Sequence, residues 1–288
     1  MSVDNMQPTY RRQRFLLAFI QQLKGGITAT DLQKLVFLYT MKEASGYYEF
    51  VPYKFGPYSF QIAEDIDILR RDGFLSSDSA RIQATDEYRQ EELFPIAEER
   101  SNSLIRKSYR EYPYYSINST IIDRLFAKEE AQRFRLERDN YIKSEQVLFT
   151  IGYEGRSIES FINTLIQNDI RVLYDVRKNP LSRKFGFSKG KLEHICIATG
   201  ITYIHLPELG ISSDKRTCLD TVEDYQHLFE CYAMTLPNLK PQLNNVHNFL
   251  CDNRRIALMC YEKEPHMCHR HVIRDYLINN FQTRSEDL

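Results

Sequence analysis

Two kinds of apolar pattern divide the chain. Up to about residue 95, apolar residues recur mainly at helical spacing; from about residue 146, short continuous apolar runs alternate with helical patterns. Tyr10–Leu23 places Phe15, Leu16, Phe19, Ile20 and Leu23 on one face and ends at Lys24-Gly25-Gly26. A second helix, capped by Thr30 or Asp31, turns Leu32, Leu35, Val36 and Tyr39 inward and closes at Gly46. Phe50–Phe55 reads as extended, Gly56-Pro57 as a turn, and Ser59–Arg71 as a third helix. Gly73 stops that helix. Phe74-Leu75 and Arg81–Ala84 then read as two strands around a polar tip, and Thr85 caps another helix. Helix, helix, helix, two-stranded wing is the order of a winged helix, so residues 1–95 are expected to form an α+β domain of that kind.

Residues 96–145 read as a charged helical linker region. Tyr109, Tyr112, Tyr114 and Tyr115 surround Pro113, and KEEAQRFRLERDN reads as a solvated helix. Tyrosines beside arginines suit base stacking, while packing between domains is the plainer use.

Residues 146–288 repeat strand and helix. VLFTI (147–151) runs into GYEGRS and the helix Ile158–Gln167; RVLYDV (171–176) runs into RKNPLSR. A helix Leu192–Thr199 leads to ITYIHL and PELG. Helices follow around Glu223–Thr235 and Gln242–Cys251, then the run Ile256–Met259 and a last helix from near Met267. This alternation predicts an α/β domain with a parallel sheet and right-handed crossovers. In such sheets ligands bind beyond the carboxyl ends of the strands. Those ends carry Tyr153, Glu154 and Arg156; Asp175, Arg177 and Arg183; Glu208; and Cys260 and Glu262, with Cys268, His269 and Arg270 on the first turn of the facing helix. The glycine-bearing turn after the first run matches neither the P-loop nor the dinucleotide fingerprint, and Arg156 is what makes it a candidate phosphate cradle.

Composition narrows this reading. In 288 residues, with 27% charged and a formal charge of -1, no global basic field draws the chain to nucleic acid or membrane. The opening has no signal-peptide layout and no run is long enough to span a bilayer, so a cytoplasmic protein with reduced thiols and no membrane partner is expected. Every cysteine and histidine lies at or after His194. Thiol, imidazole or metal chemistry would therefore belong to the second domain. Glu64, Asp65 and Asp67 on the third helix suit a major groove poorly, which favours a protein partner or homodimer through the first domain over DNA.

The pieces TIGYEGRSIESF, VLYDVRKNPLSRK, ITYIHLPELG and LMCYEKEPHMCHRHVI, in order from Thr150 to Leu277, resemble a widespread bacterial family of uncharacterised domains, number 488 in its series. The family often has His where this chain has Tyr153. The resemblance implies a fold and a site, but no substrate and no cofactor. The pairing of Asp-Val-Arg after one strand with a cysteine after another is also similar to rhodaneses. Residues 30–75 resemble the antitoxin-associated Panacea-type domain through a helix-borne LQK and an aromatic-Gly-Pro turn.

The expected function is an enzyme acting on a phosphate-bearing nucleotide or nucleic acid at an Arg/Cys/Glu/His crevice, in a setting of defence or DNA modification. Arg156, Arg177, Arg183 and Arg270 would hold the anion, with Tyr153, Glu154, Glu208 and Cys268 lining the crevice. Cys260 would be nucleophile or orienting group, Glu262 or His269 would move protons, and Asp175 would act in catalysis or hold an arginine. The alternatives are a rhodanese-like sulfur carrier on Cys260 and a non-catalytic nucleotide sensor that contacts DNA or protein. A carrier or cysteine-phosphatase loop wraps backbone N–H groups around its sulfur, whereas YEKEP places two carboxylates and a proline there, with His266 where a phosphatase has Arg. A zinc site from Cys260, Cys268 and His269, with His266 or His271, lacks paired C-x-x-C spacing, so no metal is expected. Cys196, Cys218, Cys231 and Cys251 read as core or surface thiols.

Overall fold

The computed structural model describes residues 7–78, 80–85, 93–216 and 219–288. The helix expected after Thr85 and the Cys218 thiol lie outside these residues. The chain divides into two compact units, Met1–Asn140 and Tyr141–Leu288.

In the first unit, α1 (Arg11–Gln21), α2 (Ala29–Glu43) and α3 (Phe60–Arg71) bury Phe15, Leu16, Phe19, Leu35, Val36, Ile62, Ile66 and Leu69 in one core. The cap of α2 is Thr28, whose hydroxyl accepts from Asp31 N, and its end is a left-handed Ala44; the expected Thr30 or Asp31 cap and Gly46 stop are corrected. Gly56-Pro57 is not a turn. It lies in β2 (Gly56–Tyr58), paired antiparallel with β1 (Val51–Tyr53), and the reversal falls at Lys54-Phe55. Ser59 caps α3. Beyond α3, Ser76 N donates to Gln83 O and Thr85 N to Phe74 O, while Ile82 exchanges both backbone bonds with Ile27. Asp65 is no surface charge: it is buried and accepts from Arg12, Gln13 and Tyr48.

Residues 96–140 complete this unit rather than linking it to the next. Ser101 N, at the start of α4 (Ser101–Glu111), donates to the Asp31 carboxylate at 2.8 Å. Tyr112 and Tyr115 set their edges on Phe37. The short α5 (Ile122–Leu125) and α6 (Lys128–Asp139) enclose a satellite core of Tyr109, Phe126 and Phe134. The tyrosine cluster thus packs inside one unit.

The second unit holds β3 (Val147–Gly152), α7 (Ile158–Gln167), β4 (Val172–Asp175), α8 (Lys189–Ala198), β5 (Thr202–His205), α9 (Val222–Ala233), α10 (Lys240–Asn253), β6 (Arg255–Cys260), α11 (Arg270–Phe281) and β7 (Ser285–Asp287). The strands form one five-stranded sheet in the order β5-β4-β6-β3-β7, every pair parallel. β3 and β6 are buried at every position, as apolar runs covered on both faces must be. Leu148, Tyr174, Ile256 and Leu258 pack with Leu243, Leu250, Ile273 and Leu277 of α10 and α11. The alternate positions Phe149, Ile151, Leu173 and Met259 point to the other face and are buried as well. The α/β expectation is met. β7 was not foreseen: SED is short and polar, and it gains its place by pairing with β3 at the sheet edge. The last helix begins at Arg270 after a 3-10 turn, Pro265–Met267, so Cys268 precedes it and His269 is its cap residue.

Register brings the strand ends together. Gly152 sits opposite Cys260, Asp175 opposite Met259, and His205 opposite Asp175. Because β6 enters the sheet between β4 and β3, three separate loops leave the same edge side by side.

One buried charge in the first unit gives a measurable consequence. Lys34 Nζ, on α2, donates to the Pro57 carbonyl at 3.0 Å. Burial pulls its pKa from 10.5 to about 7, against a smaller upward pull from Asp31. Below about pH 7 the ammonium is charged in both the folded and the unfolded chain, and the folded state bears the whole desolvation cost. Between the folded and unfolded pKa values the unfolded chain binds the extra proton, so this residue makes stability rise with pH. Urea unfolding of wild type and Lys34→Met at pH 7 to 9 is expected to show wild type gaining on the variant by up to about 1.4 kcal/mol per pH unit; parallel curves would contradict the assignment.

Candidate functional site

The crevice starts from two glycines that allow loops to touch. A Cβ on Gly152, at the end of β3, would stand 1.9 Å from the Glu262 carbonyl oxygen; one on Gly210, after β5, would stand 2.2 Å from Lys178 N. The loop after β6 is thereby laid on β3, and the loop after β5 on that after β4. Arg270 holds the first of these contacts. Fully buried, it donates to the carbonyls of Glu262 at 2.6 Å and Lys263 at 2.9 Å, and its Nε to Thr150 Oγ1 at 3.2 Å. The expectation that Arg270 binds an anion is corrected: all three of its nitrogens donate within the fold, to two backbone carbonyls and the Thr150 hydroxyl. Arg156 also leaves the crevice, donating to the Thr164 hydroxyl on α7. Glu208 is exposed and lines a separate depression beside α9 with Lys178 and Lys215.

The remaining candidates meet. Tyr153, Glu154, Arg177, Arg183, Cys260 and Glu262 line one cleft of about 500 Å³, together with Lys178, Lys184 and Arg216. Arg177 is buried and held on Asp175, Nε to Oδ1 at 2.8 Å and Nη2 to Oδ2 at 2.5 Å. Asp175 also accepts from the Tyr203 hydroxyl at 2.6 Å, and Arg177 Nη1 donates to the Tyr153 hydroxyl at 3.0 Å. Burial works against the guanidinium charge, but the Asp175 carboxylate outweighs it and raises the Arg177 pKa. Burial, reinforced by the Asp175 charge, pushes the Tyr203 hydroxyl up. Asp175 therefore orients Arg177 and does not itself face the cleft. The Tyr153 ring stacks on Phe187 at 4.3 Å, and Lys184 Nζ donates to the Tyr153 carbonyl. Glu154 accepts from Lys263 N at 2.9 Å and so ties the β3 and β6 loops together.

At the floor, Cys260 Sγ lies 3.5 Å from Glu262 Oε2 and 3.7 Å from His269 Nδ1. Cys268 Sγ lies 3.9 Å from the same nitrogen. His269 Nε2 is 3.0 Å from the Val176 carbonyl oxygen, which only accepts, so Nε2 carries the proton and Nδ1 presents its lone pair to the sulfurs. Arg216 Nη2 stands 3.3 Å from Nδ1 and Nη1 3.7 Å from Glu262 Oε1. Burial pushes the Cys268 thiol well up. For Glu262 burial works upward, but the hydrogen bonds from Cys268 and from its own backbone and the charge of Arg216 outweigh it, and its pKa is lowered.

Sequence reasoning missed Lys178, Lys184, Tyr203 and Arg216. The two lysines stand inside the quoted VLYDVRKNPLSRK motif and were readable as cleft cations. Arg216 lies in a polar insertion with no pattern to mark it. A second depression of about 580 Å³ between α9 and α11 is mainly apolar, with His266 and His271 at its rim, and none of the expected site residues lines it.

Residues 157–277 match the model of the family described as Domain of unknown function DUF488. No curated protein and no solved structure matches the chain. Among the described residues no helix is long and apolar enough to cross a membrane.

The geometry predicts different outcomes for two arginines. Arg270→Leu should lower stability by about 3 kcal/mol, because two buried carbonyls and a hydroxyl lose their donor, whereas Arg183→Ala, at an exposed rim position, should change stability by less than about 0.5 kcal/mol. Chemical denaturation checks both; equal small effects would contradict the clamp role of Arg270.

Proposed function

From a second unit that carries this family of unknown function, we propose an enzyme acting on a phosphate-bearing ligand, a nucleotide or a nucleic acid end. What supports the reading is one observation: Arg177, Lys178, Arg183, Lys184 and Arg216 line a single cleft whose floor holds Cys260 and Glu262. Arg177, Arg216 and Lys184 each face a carboxylate, Asp175, Glu262 and Glu154, so the uncompensated charge rests mainly with Lys178 and Arg183. Exposed cations around a half-closed cleft favour a multiply charged anion. Arg177, locked by Asp175 and Tyr153, supplies a rigid wall.

The chemistry falls to the floor. Glu262 is half-buried between the cleft and the sulfurs, so it is the group placed to pass a proton to or from a bound ligand. Cys260 and His269 stand behind it. A sulfur carrier is less well supported, since Cys260 is 1% exposed and its sulfur faces a carboxylate that opposes a persulfide anion. A sensor would use the same cations without turnover. The first unit, read as a winged helix, carries an exposed Asp67 on α3 and is better suited to a protein partner or a second copy than to duplex DNA.

Thermal shift against inorganic phosphate, pyrophosphate, nucleotides and 5′-phosphorylated oligonucleotides tests this. At least one polyanion should raise the Tm, and Lys178→Ala with Arg183→Ala should weaken its binding by about tenfold or more, at roughly 1 kcal/mol per lost charge-assisted contact. Glu262→Gln should keep binding and lose turnover. Binding without turnover in wild type would favour the sensor, and no binding by any anion would remove the proposal.

A further inference from the structure

The buried donors behind the cleft have a use that anion binding leaves unexplained. Cys260 Sγ, Cys268 Sγ and His269 Nδ1 all lie within 4.8 Å of one another. They come from two elements, the end of β6 and the entry to α11, so sheet and helix fix them separately. All are nearly inaccessible, at 1% exposure each. Packing alone needs no such set: small apolar side chains would fill the volume without burying two thiols and an imidazole face to face. The histidine is also oriented by an outer partner. Its Nε2–H is given to the Val176 carbonyl, which fixes the tautomer and aims the other nitrogen at the sulfurs, as the outer hydrogen bond of a ligating histidine usually does.

We propose that Cys260, Cys268 and His269 bind a thiophilic divalent cation, zinc by preference, with the fourth coordination position turned toward Glu262 and the cleft. Two sulfurs and one imidazole nitrogen suit zinc and exclude magnesium and calcium, which take oxygen ligands. Three protein ligands with one open position form the catalytic kind of zinc site, not the closed structural kind. On binding, two S–H bonds break, two metal–sulfur bonds form, and two protons leave to solvent. The imidazole gives its lone pair and keeps its Nε2 proton, and no electron moves. Arg216, which donates to Nδ1, is displaced. Its turn, Ser213–Arg216, is largely exposed, its Nε is buried with no partner among the described residues, and Glu262 stands 3.7 Å away to receive it. The open position would face whatever the cleft holds. That role, though not the metal site itself, rests on the cleft being a place of chemistry.

The test uses the full chain, reduced and stripped with a chelator, titrated with cobalt(II) and then zinc. One equivalent of cobalt should give a sulfur-to-metal charge-transfer band and the visible bands of a tetrahedral site, zinc should bleach both, and about two protons should appear per metal bound. Cys268→Ser and His269→Asn should each weaken binding beyond the ~10–100-fold cost of losing a hydrogen-bond partner of a ligand, while Cys196→Ser and Cys251→Ser should leave it unchanged. Circular dichroism confirms that each variant is folded, and the wild-type spectrum and proton count carry the test if one is not. Absence of the charge-transfer band in reduced wild type, binding that survives Cys268→Ser, or formation of a Cys260–Cys268 disulfide without metal uptake would each overturn the proposal. Phosphate and nucleotide binding measured on the same stripped and loaded samples separates the two readings: loss of anion binding with an intact cobalt spectrum sinks the cleft reading alone, and the converse sinks only the metal.

Discussion

The site depends on a buried guanidinium that has no carboxylate partner among the described residues. Arg270 reaches from the first turn of α11 to the carbonyls of Glu262 and Lys263 and to the Thr150 hydroxyl. It draws the loop after β6 down onto β3, where Gly152 leaves room for the Glu262 carbonyl and nothing larger than hydrogen would. That contact decides where the Glu262 side chain stands, and with it the carboxylate beside Cys260. The Thr150 hydroxyl in turn donates a hydrogen bond to Asp287 of β7, so the last strand takes part in the same network. The polarity of Ser-Glu-Asp at the sheet edge is then no accident of an exposed tail.

A second buried pair does for the β4 loop what Arg270 does for the β6 loop. Asp175 takes Arg177 on both oxygens and the Tyr203 hydroxyl as well, which leaves little freedom in either side chain. Breaking such a pair by removing one member costs far more than the pair itself contributes, because the other charge is left buried and alone. The cleft is therefore held firmly along β4 and β6, while Lys178 and Arg183 form an exposed rim and Arg216 reaches in from its own turn. A fixed floor beneath solvent-facing cations is a sensible division for a site that must accept a charged ligand and then act on it.

The strands were legible because parallel strands buried on both faces are short apolar runs, and VLFTI, VLYD and ALMC have no other reading at that length. Convergence of their ends followed from topology. What sequence left open was direction. Arg156, Arg177 and Arg270 look alike as arginines at strand or helix ends, yet one turns to α7, one is locked on Asp175, and one is consumed by backbone carbonyls. Such choices are made by partners distant in sequence, as Arg270 and Thr150 are, and no local pattern encodes them. The same holds in the first unit, where Ser101 reaches Asp31 and turns an apparent linker into part of the core. SED, with no apolar alternation, gave no strand signal at all.

The central claim is that the loops after β3, β4 and β6 form one cationic cleft with sulfur at its floor. The most direct measurement is an anomalous difference map from crystals soaked in tungstate, a heavy analogue of phosphate. The account predicts a dominant peak between Lys178, Arg183 and Arg216, on the Cys260 side of Arg177. A map whose strongest peaks lie at Arg156, in the groove between α9 and α11, or on the first unit would contradict it.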